Sequence, residues 1–263
     1  MNCKICNQRT AVIGAGFMLG QYRTEFHQCS GCGFIQTDEP IWLPEAYSSA
    51  ITGSDLGLVT RNITLATICS ALIPVLFPRG RHFVDYGGGY GLFVRLMRDA
   101  GFDFVRYDPL CDNLFAQGLD VEAPHAPTYD LVTVFEVFEH LLSPLNDIEL
   151  MLRFGRSVFF STELVPHVSP PLPEEWPYYG LEHGQHIAFY SLRTLQVIAD
   201  RFGLRLYTNG QSLHLLTEQK LPDKLFRLLL HRRVASLVRP LVRRESLLGD
   251  DVHAKLAMTP PQK

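Results

Sequence analysis

The stretch His82–Gly91, HFVDYGGGYG, restricts the fold more than any other part of the chain. The run from His82 to Tyr86 reads as a short buried strand, and it leads into Gly87, Gly88 and Gly89. Leu92, Phe93, Leu96, Met97 and Ala100 then recur at helical spacing. Strand, tight glycine turn and helix N-terminus in succession make a cradle of nucleotide size. Glycines at 87, 89 and 91 let a ligand approach the backbone where a Cβ would intrude, and the first helical turn offers unpaired amides. Asp85, at the strand end, either accepts hydrogen bonds from the ligand or holds the turn. Two common nucleotide motifs do not fit. GxGxxG needs glycine or alanine at 92, where this chain has Leu92, and the Gly-Lys-Ser/Thr of a P-loop is absent.

A second constraint lies at the amino end. Cys3 and Cys6, then Cys29 and Cys32, form two CxxC pairs separated by 22 residues. Each pair brings two thiolates to one tight turn, and two such turns close a tetrahedron around a metal ion. The segment is too short to build its own core, so the metal supplies much of its folding energy. Four sulfur ligands leave no open position for water, which makes a structural zinc site the expected one. A four-sulfur iron site and uncoordinated thiols remain as alternatives. Lys4, Arg9 and Arg23 are the only basic side chains in residues 1–40 besides His27, too few for a nucleic-acid surface.

Further along, Pro40, Trp42, Pro44, Tyr47 and Ser48 mark a linker, followed by a helix expected over Leu56–Leu72. A second strand, Phe104–Tyr107, ends at Asp108, where a carboxylate can accept both hydroxyls of a ribose held over the glycine turn. Leu119–Val121, containing Asp120, is expected as a short third strand. YDLVTVF, Tyr129–Phe135, is a strongly apolar fourth strand running into EVFEHL. Ser157–Thr162 is the fifth, and Leu204–Tyr207 with Leu213–Thr217 the last two. Between them lies a proline-rich insertion, residues 163–190, that holds His167, Trp176, Tyr178, Tyr179, Glu182, His183, Gln185 and His186. So long a connection without regular structure is uncommon unless it lines a site.

DxGxGxG from Asp85 to Gly91, together with YDLVTVFEVFEHL, resembles the class I S-adenosylmethionine-dependent methyltransferases. The resemblance covers residues 1–218 and implies S-adenosylmethionine over Asp85, Gly87, Gly89 and Gly91. It further implies the ribose on Asp108, the adenine amino group at Asp120, and the methionine part near Phe135 and Glu136. The end of the insertion resembles a segment of zinc-knuckle methyltransferases that act on deoxysugar nucleotides. Its serine matches Ser191, its acid–base histidine falls on His186, and its glutamate is replaced by Gln185. Tyr47, Tyr179, Glu182, His183 and Gln185 are then the expected substrate contacts. The sugar enzymes also carry a further carboxy-terminal domain with no counterpart in this chain.

The expected fold is α/β: a doubly wound, mostly parallel, seven-stranded Rossmann-like sheet behind a small zinc-ribbon-like module. Its divisions are a zinc module at 1–40, a linker and helix at 41–80, a methyltransferase domain at 81–218 and a basic helical tail at 219–263. An apolar fraction of 46% supports a large core, and a formal net charge of −3 gives no general attraction for phosphate backbones. Neither a signal peptide nor an unbroken run of eighteen apolar residues is read in the sequence, which points to the cytoplasm. The expected substrate is a small molecule, with a sugar nucleotide among the candidates. A non-catalytic binding protein of the same fold, or a nucleic-acid methyltransferase, are the other readings. Lys220–Arg244 alternates leucine with arginine, which suits either a cover for the domain or contact with a membrane surface or protein partner. The oligomeric state is not legible.

Overall fold

A computed structural model of the chain describes residues 1–48, 55–166 and 170–258, with side chains through residue 256; His167 lies outside the described residues. In chain order the elements are β1 (Thr10–Met18), β2 (Tyr22–Cys29), β3 (Ile35–Thr37), α1 (Leu43–Ala46), α2 (Leu58–Leu76), β4 (His82–Tyr86), α3 (Leu92–Asp99), β5 (Asp103–Tyr107) and β6 (Leu131–Val134). Then come α4 (Pro144–Phe154), β7 (Ser157–Ser161), β8 (Ala188–Phe189), α5 (Leu192–Phe202), β9 (Arg205–Thr208), β10 (Leu213–Thr217), α6 (Asp223–Leu229), α7 (Arg232–Val238) and α8 (Leu248–Met258).

Two sheets result. The smaller has the order β1-β2-β3-β8, and the larger has six strands in the order β5-β4-β6-β7-β10-β9. The expected seventh strand, Leu119–Val121, is reduced to a parallel bridge between Arg106 and Asp120. Its two backbone bonds flank Arg106, and Gly118, at φ +86°, turns the chain immediately before it. The chain comprises two compact units.

The first unit comprises Met1–Ser54, Val134–Leu152 and Ser157–Lys220. Strands β1 and β2 form an antiparallel hairpin whose turn places Leu19 and Gly20 at positive φ. β3 pairs with β2 on one side and with β8 on the other, so the last strand of the small sheet comes from the end of the 163–190 insertion. Met18, Phe26, Ile35, Trp42, Val165, Tyr179, Ile187 and Phe189 form one apolar core. The cysteine segment therefore shares a core with the insertion. β10 runs antiparallel to both β7 and β9.

The second unit comprises Asp55–Thr133, Arg153–Arg156 and Leu221–Lys263. Within it β4 runs parallel to β5 and to β6, with Val84 level with Val105 and Val132. Phe83 stacks on Phe104, and Phe93 and Phe102 meet that pair edge-on. α2 is two residues shorter at its start than expected and continues through Pro74 to Leu76. It meets the length and composition of a membrane span, with a mean hydropathy of 1.5, yet Leu65–Ile73 are buried in the packing of this unit. The tail is not one helix: it breaks between α6 and α7 at Leu230 and His231, and α6 and α7 both pack on α2. α8 is tied to α3 by Asp251, which receives the guanidinium groups of Arg95 and Arg98.

Candidate active site and metal cluster

The second unit builds the glycine cradle. Gly87, Gly89 and Gly91 adopt φ of +68°, +53° and +82°, the left-handed region that side chains other than glycine enter at a cost. At Gly91 an added Cβ would also lie 2.7 Å from Asn113 Oδ1 and 2.9 Å from the Ala116 Cβ. Asp85 is buried and accepts a 2.6 Å hydrogen bond from the Thr133 hydroxyl at Oδ1. Burial pushes its carboxyl up to about 7, the charge of Asp108 adds to this, and the Thr133 bond opposes it. The Asp85 side chain is thus tied to Thr133 on β6, the strand beside β4.

Asp108 stands where expected, at the end of β5, and its carboxylate already organises backbone. Oδ2 accepts from the Gly89 amide at 2.8 Å, and Oδ1 accepts from the Leu110 and Cys111 amides. A carboxylate has about four acceptor positions, so a diol at this residue takes the remaining one or competes with the Gly89 amide. Asp120 is engaged by Asn113 Nδ2 at 2.8 Å and by Arg106 Nε at 3.0 Å. Asp108 and Asp120, with Arg106, Pro109, Cys111 and Glu122, line an open cavity of about 480 Å³. That volume is sufficient for a nucleoside.

Arg106 is the residue that sequence reasoning passed over. It is 2% exposed, and its guanidinium donates to the carbonyls of Gly89 (2.7 Å), Asp108 (3.1 Å) and Cys111. One buried cation therefore pins the glycine turn to the loop after β5. A signal existed: an arginine at an inward position of an otherwise apolar strand needs several acceptors, and consecutive loops are where carbonyls go unpaired.

Phe135 and Glu136 belong to the first unit. Phe135 meets Phe159 edge-on. Glu136 adopts φ +56°, a conformation uncommon for a side chain of this kind. Ser161 holds it there, accepting from the Glu136 amide at 2.7 Å and donating to its carboxylate at 2.6 Å.

The same unit gathers a cluster of titratable side chains around His186. His186 Nδ1 donates to the Tyr178 carbonyl at 2.6 Å, which leaves Nε2 as the acceptor nitrogen. His140 Nδ1 lies 3.0 Å from both the Gln185 carbonyl and the Tyr47 hydroxyl. The ring of His186 is 5.0 Å from that of His140 and 4.6 Å from that of His183. Burial is the leading cause that lowers His140 to about 4 and His186 to about 3, so both imidazoles are neutral at pH 7. Tyr47 is raised to about 12 by burial and by Glu139. Glu139 itself is fully buried.

Two residues expected to contact substrate serve the interior instead. Tyr179 is fully buried between Phe26, Trp176 and Phe189, and its hydroxyl donates to the Pro171 carbonyl. It ends the short turn Pro177–Tyr179 with its side chain in the apolar core. Gln185 is buried too, and its amide donates to the Ala46 carbonyl at 2.8 Å. Glu182 is exposed, and the His183 Nδ1 accepts from the Gln185 amide.

The four cysteines also lie in the first unit, with their sulfurs within 4.8 Å of one another. Cys3 Sγ is 3.6 Å from Cys32 Sγ, and Cys6 Sγ is 3.3 Å from Cys29 Sγ. Tetrahedral zinc with bonds of about 2.3 Å would set sulfurs about 3.8 Å apart, so the donor set fits with a small adjustment. The two turns repeat one design. The Asn7 amide bonds to the Cys3 carbonyl and the Gly33 amide to the Cys29 carbonyl, and both Asn7 and Gly33 have positive φ. Amides of Ile5, Gly31 and Cys32 point at Cys3 or Cys29 sulfur, which favours thiolate.

No curated protein matches the chain. Solved structures do. TnmH shares 17% identity over 69% of this chain and 62% of its own length, with a TM-score of 0.42. An O-methyltransferase family 2 protein from Planctomyces limnophilus, solved with apigenin, shares 16% over 67% of this chain and 65% of its own, with a TM-score of 0.45. A methyltransferase from Thermotoga maritima described as a possible histamine N-methyltransferase shares 13% over 62% and 92%, with a TM-score of 0.41. The chain thus spans less than two thirds of TnmH and of the Planctomyces protein. At the level of sequence families, residues 62–209 match the methyltransferase domain model Methyltransf_23. That match takes in more than half of the chain, from α2 through the glycine cradle to β9, and the chain belongs to this family of S-adenosylmethionine-dependent methyltransferase domains.

Proposed function

We propose that the chain transfers a methyl group from S-adenosylmethionine to a small-molecule acceptor. The observation that carries this reading is the left-handed glycine turn locked to Asp108 and Arg106 beside an open cavity, in a chain of the methyltransferase-domain family. S-adenosylmethionine supplies a sulfonium methyl that a nucleophile can attack in line. Gly87, Gly89 and Gly91 keep side chains away from the bound cofactor. Asp108 accepts from its ribose, exchanging the hydrogen bond it now receives from Gly89, and Asp120 accepts from its adenine amino group. Arg106 fixes the turn through its bonds to the carbonyls of Gly89, Asp108 and Cys111. Positioning of this kind is worth several kcal/mol of the barrier.

On the acceptor side, the proton of the attacking group is taken up within the cluster of His140, His186 and Glu139. Tyr47 and His183 border it and are the substrate contacts we favour. A hydroxylated metabolite suits a cluster rich in neutral acceptors, and nucleoside-diphosphate sugars are the first class to screen. The cysteine cluster holds structural zinc in this reading: four thiolates fill the coordination sphere and leave no position for chemistry.

Isothermal calorimetry of the purified chain with S-adenosylmethionine, its demethylated product and NAD tests the cofactor. Micromolar binding of the first two without NAD is expected, followed by transfer of labelled methyl to one member of a panel of sugar nucleotides, phenols and amines. Binding of none of the three overturns the catalytic reading.

A further inference from the structure

A ring nitrogen of His140, a ring nitrogen of His186 and a carboxylate oxygen of Glu139 lie within 4.8 Å of one another, in the first unit and in a set separate from the four cysteines. Two imidazoles and one carboxylate brought this close are a ligand set for a divalent first-row ion with open coordination positions. The surroundings of the histidines match what such a site requires. Each directs its Nδ1 at a backbone carbonyl, Gln185 for His140 and Tyr178 for His186. A metal-binding imidazole almost always gives its second nitrogen to such an acceptor, which fixes the tautomer and presents Nε2 to the ion. Both carbonyls come from the insertion that supplies His186, while Glu139 and His140 share the short turn Phe138–His140. The amide of Ile187 bonds to the Glu139 carbonyl at 2.8 Å, joining the two segments beside the ligands.

A neutral imidazole and a carboxylate are the forms of these side chains that bind a metal. One carboxylate and two neutral imidazoles leave a divalent ion with a net positive charge, which a hydroxyl or alkoxide of the acceptor would offset.

We propose that Glu139, His140 and His186 bind a divalent first-row transition ion, as a second metal site beside the four-cysteine cluster. Binding at this site does not depend on the methyl-transfer reading. Its use in that reaction would rest on it and would replace direct proton uptake by the histidines: an ion-bound acceptor hydroxyl is acidified and gives its proton to solvent water, and the oxygen then takes the methyl group as the sulfonium C–S bond breaks and leaves S-adenosylhomocysteine.

Metal analysis of the full-length chain decides the matter without an activity assay. The chain is dialysed against micromolar Zn2+, freed of excess metal and counted by mass spectrometry. We expect about two zinc ions per chain in the wild type, and about one in Glu139→Gln and in His186→Ala. A Cys3→Ser/Cys6→Ser variant should also retain about one. Cobalt loading separates the two sites by spectrum, since thiolate ligands give intense charge-transfer absorption and nitrogen and oxygen ligands do not. A wild type that saturates at about one ion, lost entirely in the cysteine variant, overturns the proposal. So does a count of about two that Glu139→Gln and His186→Ala both leave unchanged while circular dichroism shows them folded. Should those variants fail to fold, the wild-type count and its cobalt spectrum remain decisive.

Discussion

Replacing Arg106 with methionine removes the charge while keeping most of the side-chain length. The buried guanidinium donates to the carbonyls of Gly89 and Cys111 and, more weakly, to that of Asp108. A hydrogen bond from a charged donor is worth about 1.5–3 kcal/mol, and at least two carbonyls lose theirs to a thioether that offers nothing. The Asp120 pair adds little, because that side chain is 50% exposed and water replaces its partner. The expected loss is about 3–5 kcal/mol, the range for removing one member of a buried charged set. For a protein of this size, about 3 kcal/mol corresponds to a melting temperature lower by roughly 6–12 °C. The glycine turn loses its tie to the loop after β5, so affinity for S-adenosylhomocysteine should fall at least about tenfold, or 1.4 kcal/mol. Arg106→Lys, which keeps one donor group, should fall between the two. Calorimetric melting and titration check both numbers. A variant melting within about 1 °C of the wild type with unchanged affinity would refute the clamp.

Asp85 should make stability depend on pH. Its folded pKa, near 7, stands above the ordinary aspartate value, so the native state holds a proton that the unfolded chain releases. Stability from this group is therefore full below about pH 4 and declines as the pH rises to about 7. Asp85→Asn should flatten that part of the profile and be the more stable protein at pH 8, by a few kcal/mol; urea midpoints that keep the wild-type slope would count against it. Asp108→Ala frees the amides of Gly89, Leu110 and Cys111. It should weaken cofactor binding at least about tenfold, and an unchanged calorimetric affinity would remove the ribose assignment. Gly91→Ala places a Cβ at φ +82° against Asn113 and Ala116, at a cost of about 1–3 kcal/mol. An undiminished melting temperature would show that the turn can relax.

The cradle was legible because its residues are contiguous. Asp85, the glycines and the helix beyond them fall within fifteen positions, and local rules for strand, turn and helix suffice to assemble them. Asp108 was legible for a similar reason, as the acidic end of the next strand. Arg106 was not, since its function depends on carbonyls contributed by two loops, and a single charged letter in a strand does not say which acceptors it will find. The same limit applies to the histidines. His186 stood out by type, but its neighbours His140 and Glu139 lie about 46 positions earlier in the sequence, and only the turn at Phe138–His140 brings them beside the insertion. Tyr179 and Gln185 show the converse. Both belong to a segment rich in site-like residues, and their side chains are spent on packing and on a backbone carbonyl. The third strand was expected from three apolar-flanked residues, too few to extend a ladder once Gly118 turns the chain.

The cysteine cluster is joined to the histidine cluster by backbone, and this has a measurable consequence. The Cys32 carbonyl accepts from Ser191 Oγ at 2.8 Å and from Thr194 Oγ1 at 2.9 Å, the two hydroxyls that cap the start of α5. β3, which begins three residues after Cys32, pairs Ile35 with Phe189 and Gln36 with Ala188. Beyond it, Trp42 Nε1 donates to the Gly184 carbonyl and Gln185 donates to the Ala46 carbonyl. Every one of these bonds fixes the segment that carries His183 and His186. A small sheet without its metal loses the constraint on both cysteine turns, and β3, three residues long, has little else to hold its register. Chelation, or Cys29→Ser, should therefore raise amide exchange in residues 184–196 as well as in 1–40, while β7 and β10, which pair with each other over five residues, stay protected. Hydrogen exchange measured with and without chelator makes the comparison. If the increase stops at residue 40, the cysteine module folds beside the histidine segment without supporting it, and the reason for two CxxC turns in this chain lies elsewhere.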